Sequence, residues 1–178
     1  MELFERLWQH IPRPLRLPIR ATIASIQQNP LFRYWIHQQI KHNNFKLHTY
    51  CQTQTQNILE YSMFTHFPRL CFRVLLSWQA WTIAKGDLLL FQRPISPEAW
   101  LFSLWVHPLL RRVYLGTTIV QQLLHIAKSN SCHTIALSVE SDNCHAIKLY
   151  AKLGFYPFSP QYAPQIINPA HSYLRVDI

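Results

Sequence analysis

The chemically densest stretch of this chain is the turn Arg111-Arg112-Val113-Tyr114-Leu115-Gly116, which leads directly into a segment of helical periodicity. A helix start presents unpaired backbone N–H groups and the positive end of the helix dipole, so it already favours an anion. Arg111 and Arg112 add full positive charge there, and Thr117 and Thr118 add hydroxyl donors. Residue types and order together predict a site for a phosphate-like group, a solvated basic turn being the plain alternative. Metal chemistry is not predicted. Cys51, Cys71, Cys132 and Cys144 include no Cys-x-x-Cys pair and no zinc-like spacing with the ten histidines. The thiols read as structural or incidental, which points to a reducing cytoplasm.

Positioning that turn requires an element on each side. Ala99 to Val106 is an apolar strand candidate that leads through His107-Pro108 into it. The helix that follows carries Ile119, Val120, Leu123, Leu124, Ile126 and Ala127 at helical spacing. Thr134 to Glu140 is β-rich and reads as a buried strand. A short helix comes next with both ends written in: Asp142 and Asn143 can cap its start, Ala146, Leu149, Tyr150 and Leu153 share one face, and Gly154-Phe155 stops it. Upstream, Ala80–Ala84 and Leu88–Gln92 flank Lys85-Gly86-Asp87, which reads as a hairpin turn. Only three glycines occur where average usage would give about a dozen. Gly116 is expected to open a helix, Gly154 to close one and Gly86 to make the turn.

This order of elements resembles the GNAT acetyltransferase superfamily. The resemblance rests on Val106-His107-Pro108, Arg111 and Leu115-Gly116, and on Asn143, Ala146, Leu149-Tyr150 and Gly154-Phe155, within roughly residues 79 to 158. It implies an α/β fold with a mixed, mostly antiparallel central sheet flanked by helices. It also implies an acyltransferase that moves an acetyl group from acetyl-CoA, as cosubstrate, to a primary amine. By resemblance, Leu104, Trp105 and Val106 pair through their backbone with the pantetheine arm. Arg111, Arg112, Leu115, Gly116 and Thr117 hold the pyrophosphate, Asn143 and Ala146 lie beside the cofactor arm, and Tyr150 protonates the leaving thiolate. The later block is most similar to the ribosomal-protein N-terminal acetyltransferases, in which a glutamate stands twelve residues before the tyrosine. Here that position is Ser138. Glu140, two residues along the same strand, shares its face and could serve as a base through water, or could be a strand-end salt-bridge carboxylate. His107 is a second, weaker base. One further departure matters: Tyr114 stands where the family's loop has its central glycine, and its side chain either points away or narrows the cradle.

The rest of the chain is less readable. Residues 1–45 read as an N-terminal helical and proline-containing extension and 46–178 as the acetyltransferase domain. Leu3, Phe4, Leu7, Trp8 and Ile11 form an apolar stripe, Pro12, Pro14 and Pro18 interrupt it, and helices are expected over Ile19–Gln28 and Leu31–Lys41. Phe45–Cys51 reads as a first strand, Asn57–Thr65 and Arg69–Leu76 as helices or helix and strand, and Ser172–Ile178 as the closing strand. The net charge of +9 suits an anionic partner, whether cofactor phosphates, RNA or a membrane surface. No signal peptide or membrane span is expected. Two other readings compete with the enzyme: a GNAT-fold protein that binds an acyl-CoA or a partner without turnover, and a basic RNA-associated module.

Overall fold

The computed structural model describes residues 25, 28–41, 45–53, 69–78, 81–92, 95–160 and 165–178. The elements are α1 (Pro30–Lys41), β1 (Phe45–Thr53), β2 (Leu70–Trp78), β3 (Trp81–Leu90), β4 (Ala99–Val106), α2 (Leu115–Ser129), β5 (Thr134–Glu140), α3 (Cys144–Lys152), β6 (Tyr156–Pro157) and β7 (His171–Asp177). Seven strands form one sheet in the order β1-β2-β3-β4-β5-β7-β6. Every neighbouring pair is antiparallel except β4 and β5, which α2 connects as a crossover. The expected mixed, mostly antiparallel α/β sheet is therefore the observed one. The apolar stripe at Leu3–Ile11, the helix over most of Ile19–Gln28 and the segment Asn57–Thr65 lie outside the described residues. Among the described residues no helix is long and apolar enough to cross a membrane.

Strand alternation divides the core into two faces. Val74, Leu88, Leu101, Leu137, Ile119 and Tyr150 belong to the cluster that α2 and α3 cover. Cys71, Leu89, Phe91, Trp100, Ala136 and Tyr173 form a smaller cluster on the opposite face. α1 joins the larger cluster through Phe32 and an edge contact between Trp35 and Trp78, ring centroids 5.5 Å apart. Its start is written in Asn29-Pro30: the Asn29 Oδ1 accepts hydrogen bonds from the amides of Leu31 and Phe32.

The hairpin expected at Lys85-Gly86-Asp87 is not there. β3 runs unbroken from Trp81 to Leu90 with Gly86 in its middle, and Arg69–Leu76, which had no firm sequence signature, supplies most of its partner strand β2. Gly86 serves close approach instead of a turn. A Cβ there would lie 2.7 Å from Ile119 Cγ2 and 3.0 Å from Leu123 Cδ1, so the missing side chain lets α2 sit directly on the strand. Asp87 is not a turn residue either. It is 1% exposed and takes both Nε and Nη2 of Arg73, directly opposite on β2, at 2.7 and 3.0 Å. A buried carboxylate needs such a partner, and the bidentate guanidinium supplies it.

Across from Gly86, β4 carries a bulge. Lys85 pairs with Trp105 and Asp87 with Phe102, so Ser103 and Leu104 both fall opposite the one glycine, and Ser103 takes a positive φ of 54°. The extra residue turns Leu104 and Val106 toward the face of α2. Gly86→Ala is expected to destabilise the fold by about 1–3 kcal/mol through overpacking against a fully buried isoleucine, a loss readable in urea unfolding.

Candidate active site

The site begins where a strand ladder stops. β4 and β5 pair only through Ala99–Ile135, Trp100–Ala136 and Leu101–Leu137. Beyond Leu101 and Leu137 the two strands part, although β4 continues to Val106 and β5 to Glu140. The last turn of β4 and the end of β5 thus border an opening in an otherwise continuous sheet. Leu104, Trp105 and Val106 all stand on its β4 side.

The turn after β4 leads to α2 through a 3₁₀ segment at Pro108–Leu110 with Leu110 buried. Arg111 folds back, its Nε donating to the Val106 carbonyl at 3.2 Å. Arg112 and Tyr114 both have positive φ, 65° and 69°, while Val113 between them is buried. Tyr114 takes up the backbone conformation of the glycine whose place it holds. It is the N-cap of α2, holds the left-handed conformation that glycine adopts freely, and projects its ring into solvent at 70% exposure. The side chain lines an open cleft with Arg33, Tyr34 and Val113. α2 has no side-chain cap and no acidic residue in its first turn, so the amides at Leu115, Gly116 and Thr117 face outward with the helix dipole behind them. Thr118 does not contribute, because its hydroxyl donates to the Tyr114 carbonyl at 3.2 Å. These features fit a pyrophosphate on an observation independent of any relative: a fifteen-residue helix with no carboxylate in its first turn and two arginines just before it.

α3 closes the other side. Asn143 caps it, its Oδ1 accepting from the Ala146 amide at 3.2 Å. The two motif blocks meet in space: a Cβ on Gly116 would stand 3.0 Å from Leu149 Cδ1, so α2 starts hard against α3. A second link is one that sequence reading missed. Arg112 Nη2 lies 2.7 Å from His145 Nε2 in the first turn of α3. A guanidinium only donates, so that imidazole nitrogen accepts and the arginine is held at the mouth of the site. The closeness of a basic loop to a histidine thirty-three residues on leaves no local sequence signal.

Tyr150 is buried, its ring 5.6 Å from Phe155, on the face of Ile135, Leu137 and Val139. Burial alone pushes its phenol well above the ordinary tyrosine value, so it keeps its proton throughout the physiological range. Glu140 is exposed at the end of β5 and, by alternation, on the opposite face, with Ala136 and Ser138. The structure thus does not put Glu140 beside Tyr150; the opening between β4 and β5 lies between their two faces. His107 packs edge-on against Trp105, ring centroids 6.0 Å apart. Burial, then the nearby Arg111 charge, holds it below the ordinary histidine value, leaving it neutral at pH 7.

Fold and site together fit an acyltransferase: a parallel strand pair that parts beside an uncapped helix start, with a protonated tyrosine on the helix that follows. Residues 81–155 match the model of the Acetyltransferase (GNAT) family. Among solved structures it is similar to a GNAT family acetyltransferase from Elizabethkingia anophelis with acetyl-CoA bound, at TM-score 0.55 and 12% identity over 76% of this chain and 99% of that one. It is also similar to an acetyltransferase from Streptococcus agalactiae, TM-score 0.54 and 15% identity over 61% and 67% of the two chains. A third is the PaiA N-acetyltransferase from Thermoplasma acidophilum in complex with coenzyme A, TM-score 0.51 and 17% identity over 61% of each chain. At these identities the likeness is one of fold. No curated protein matches the chain in sequence.

Two measurements check the loop. Tyr114→Gly relieves a left-handed strain of about 1–2 kcal/mol against a glycine entropy cost of about 0.5–1 kcal/mol, so the variant should unfold at slightly higher urea than the wild type. In Arg111→Ala the imidazole of His107 loses a repelling cation, and its NMR titration midpoint should move up toward, without reaching, the ordinary value of about 6.5. An unmoved midpoint would separate the two groups.

Proposed function

We propose that this protein transfers an acetyl group from acetyl-CoA to a primary amine by direct attack. The observation that carries this reading is the end of β4–β5 pairing at Leu101 and Leu137, beside the uncapped start of α2. The donor supplies the thioester, and its phosphates are the polyanion that Arg111, Arg112 and the amides at Leu115, Gly116 and Thr117 are arranged to hold. Leu104, Trp105 and Val106 offer backbone groups to the pantetheine arm, and Asn143 and Ala146 border it from α3.

In the reaction a C–N bond forms at the thioester carbonyl carbon and the C–S bond breaks. One proton leaves the nitrogen and one reaches the sulfur. Tyr150, held protonated by burial, is the proton donor for the departing thiolate in this reading. Glu140 stands on the other face and accepts the amine proton through water, with neutral His107 as a second acceptor. This division assigns the amine to the face of Ser138 and Glu140 and the leaving group to the face of Tyr150. The acceptor is the amine of a protein N-terminus, a lysine or a small molecule.

Tyr150→Phe tests the assignment. Turnover should fall about 10²–10⁴-fold while acetyl-CoA affinity is kept, compared by a free-thiol release assay and calorimetry. A variant that turns over like the wild type removes Tyr150 from the reaction. If wild-type protein binds acetyl-CoA but acetylates no amine across a broad acceptor panel, the chain is a binding module without turnover.

A further inference from the structure

Tyr114 poses a physical question that the anion cradle does not answer. A bulky aromatic occupies a left-handed backbone position, φ 69°, where a glycine would be unstrained, and it exposes 70% of its surface. The ring does not stabilise the fold by burial. What stands beside it is a cleft of about 240 Å³ lined by Arg33, Tyr34, Val113 and Tyr114. Tyr34 is also largely exposed, at 64%. The helix that carries it is anchored by Phe32 in the core and by Trp35 on Trp78. Two open phenol rings and a guanidinium therefore line one cleft, and one of the rings belongs to the N-cap of α2.

We propose that this cleft is a stacking slot for the adenine ring at the nucleotide end of acetyl-CoA, with Tyr34 and Tyr114 as its aromatic walls and Arg33 facing the attached phosphate. The inference rests on the proposed function for the occupant. Continuity with the phosphate cradle selects it: a nucleotide joined to a pyrophosphate at the amides of Leu115–Thr117 begins one residue from Tyr114. Base stacking on aromatic rings is tolerant of geometry and covers apolar surface that is otherwise wet, and a cation in the same cleft suits a nucleotide phosphate. The slot gives α1, which precedes the first strand, a part in binding.

The test is calorimetry on wild type, Tyr34→Ala and Arg33→Ala with three ligands: acetyl-CoA, S-acetyl-phosphopantetheine, which lacks the nucleotide, and the 3′-phosphate of ADP. Tyr34→Ala should weaken acetyl-CoA and the nucleotide by about tenfold, the loss of one stack, and leave S-acetyl-phosphopantetheine unchanged. Arg33→Ala should weaken the nucleotide and flatten its salt dependence. Thermal melts of the free variants should match the wild type, since both side chains are exposed. Unchanged acetyl-CoA affinity in Tyr34→Ala, or an equal loss with S-acetyl-phosphopantetheine, overturns the slot. If wild type binds the nucleotide through Tyr34 but not acetyl-CoA, the slot stands and the acetyltransferase reading falls; if it binds neither, both fall.

Discussion

The structure depends on one local failure of pairing. Among the described residues β4 and β5 are the only parallel neighbours in the sheet, and their ladder ends after three residue pairs. Parallel strands joined by a crossover helix bring the start of that helix to the carboxyl end of the first strand, so the opening and the α2 amides arise from the same connection. The bulge at Ser103 and Leu104 re-aims the last turn of β4, and Gly86 opposite it admits α2 to the sheet at close range. Restoring the ladder would close the opening, and a side chain at Gly86 would push α2 off β3.

Around this opening, conformational strain collects where ligand contact is expected. Arg112 and Tyr114 both occupy the left-handed region, at a cost of about 1–2 kcal/mol each. The loop is held in that shape from several sides: buried Leu110 and Val113, Arg111 on the Val106 carbonyl, and Arg112 on His145. Gly116 against Leu149 then brings the start of α2 into close contact with α3, the helix that carries Tyr150. The charge pattern agrees with this purpose, since the first turn of α2 contains no carboxylate to compete with an incoming anion.

Features set by local rules were readable in the sequence. Asn143 as a cap, Gly154 at φ 89° ending α3, the apolar stripe of α2 and the strand before His107 all follow from propensity and period. What failed was decided at long range. Lys85-Gly86-Asp87 between apolar runs has the composition of a turn, but Gly86 answers to Ile119 and Asp87 to Arg73, partners outside any local window. Tyr114 gave no sequence signal of its left-handed backbone, which glycine would adopt freely. Tyr34 and Arg33 lie about 80 residues before the loop they approach, and nothing local marks them as neighbours. The relation of Glu140 to Tyr150 was half legible: strand alternation gave its face, whereas its separation from the tyrosine depends on which face α3 covers.

The central claim is that the parted strands and the start of α2 form the acyl-donor site. Amide hydrogen exchange with and without saturating acetyl-CoA tests it most directly, because it reads the backbone groups themselves. The account predicts slowed exchange in Leu104–Val106 and Leu115–Thr117, with β1 and β2 unaffected. Binding that leaves both segments unprotected, or that protects only the outer strands, would contradict it.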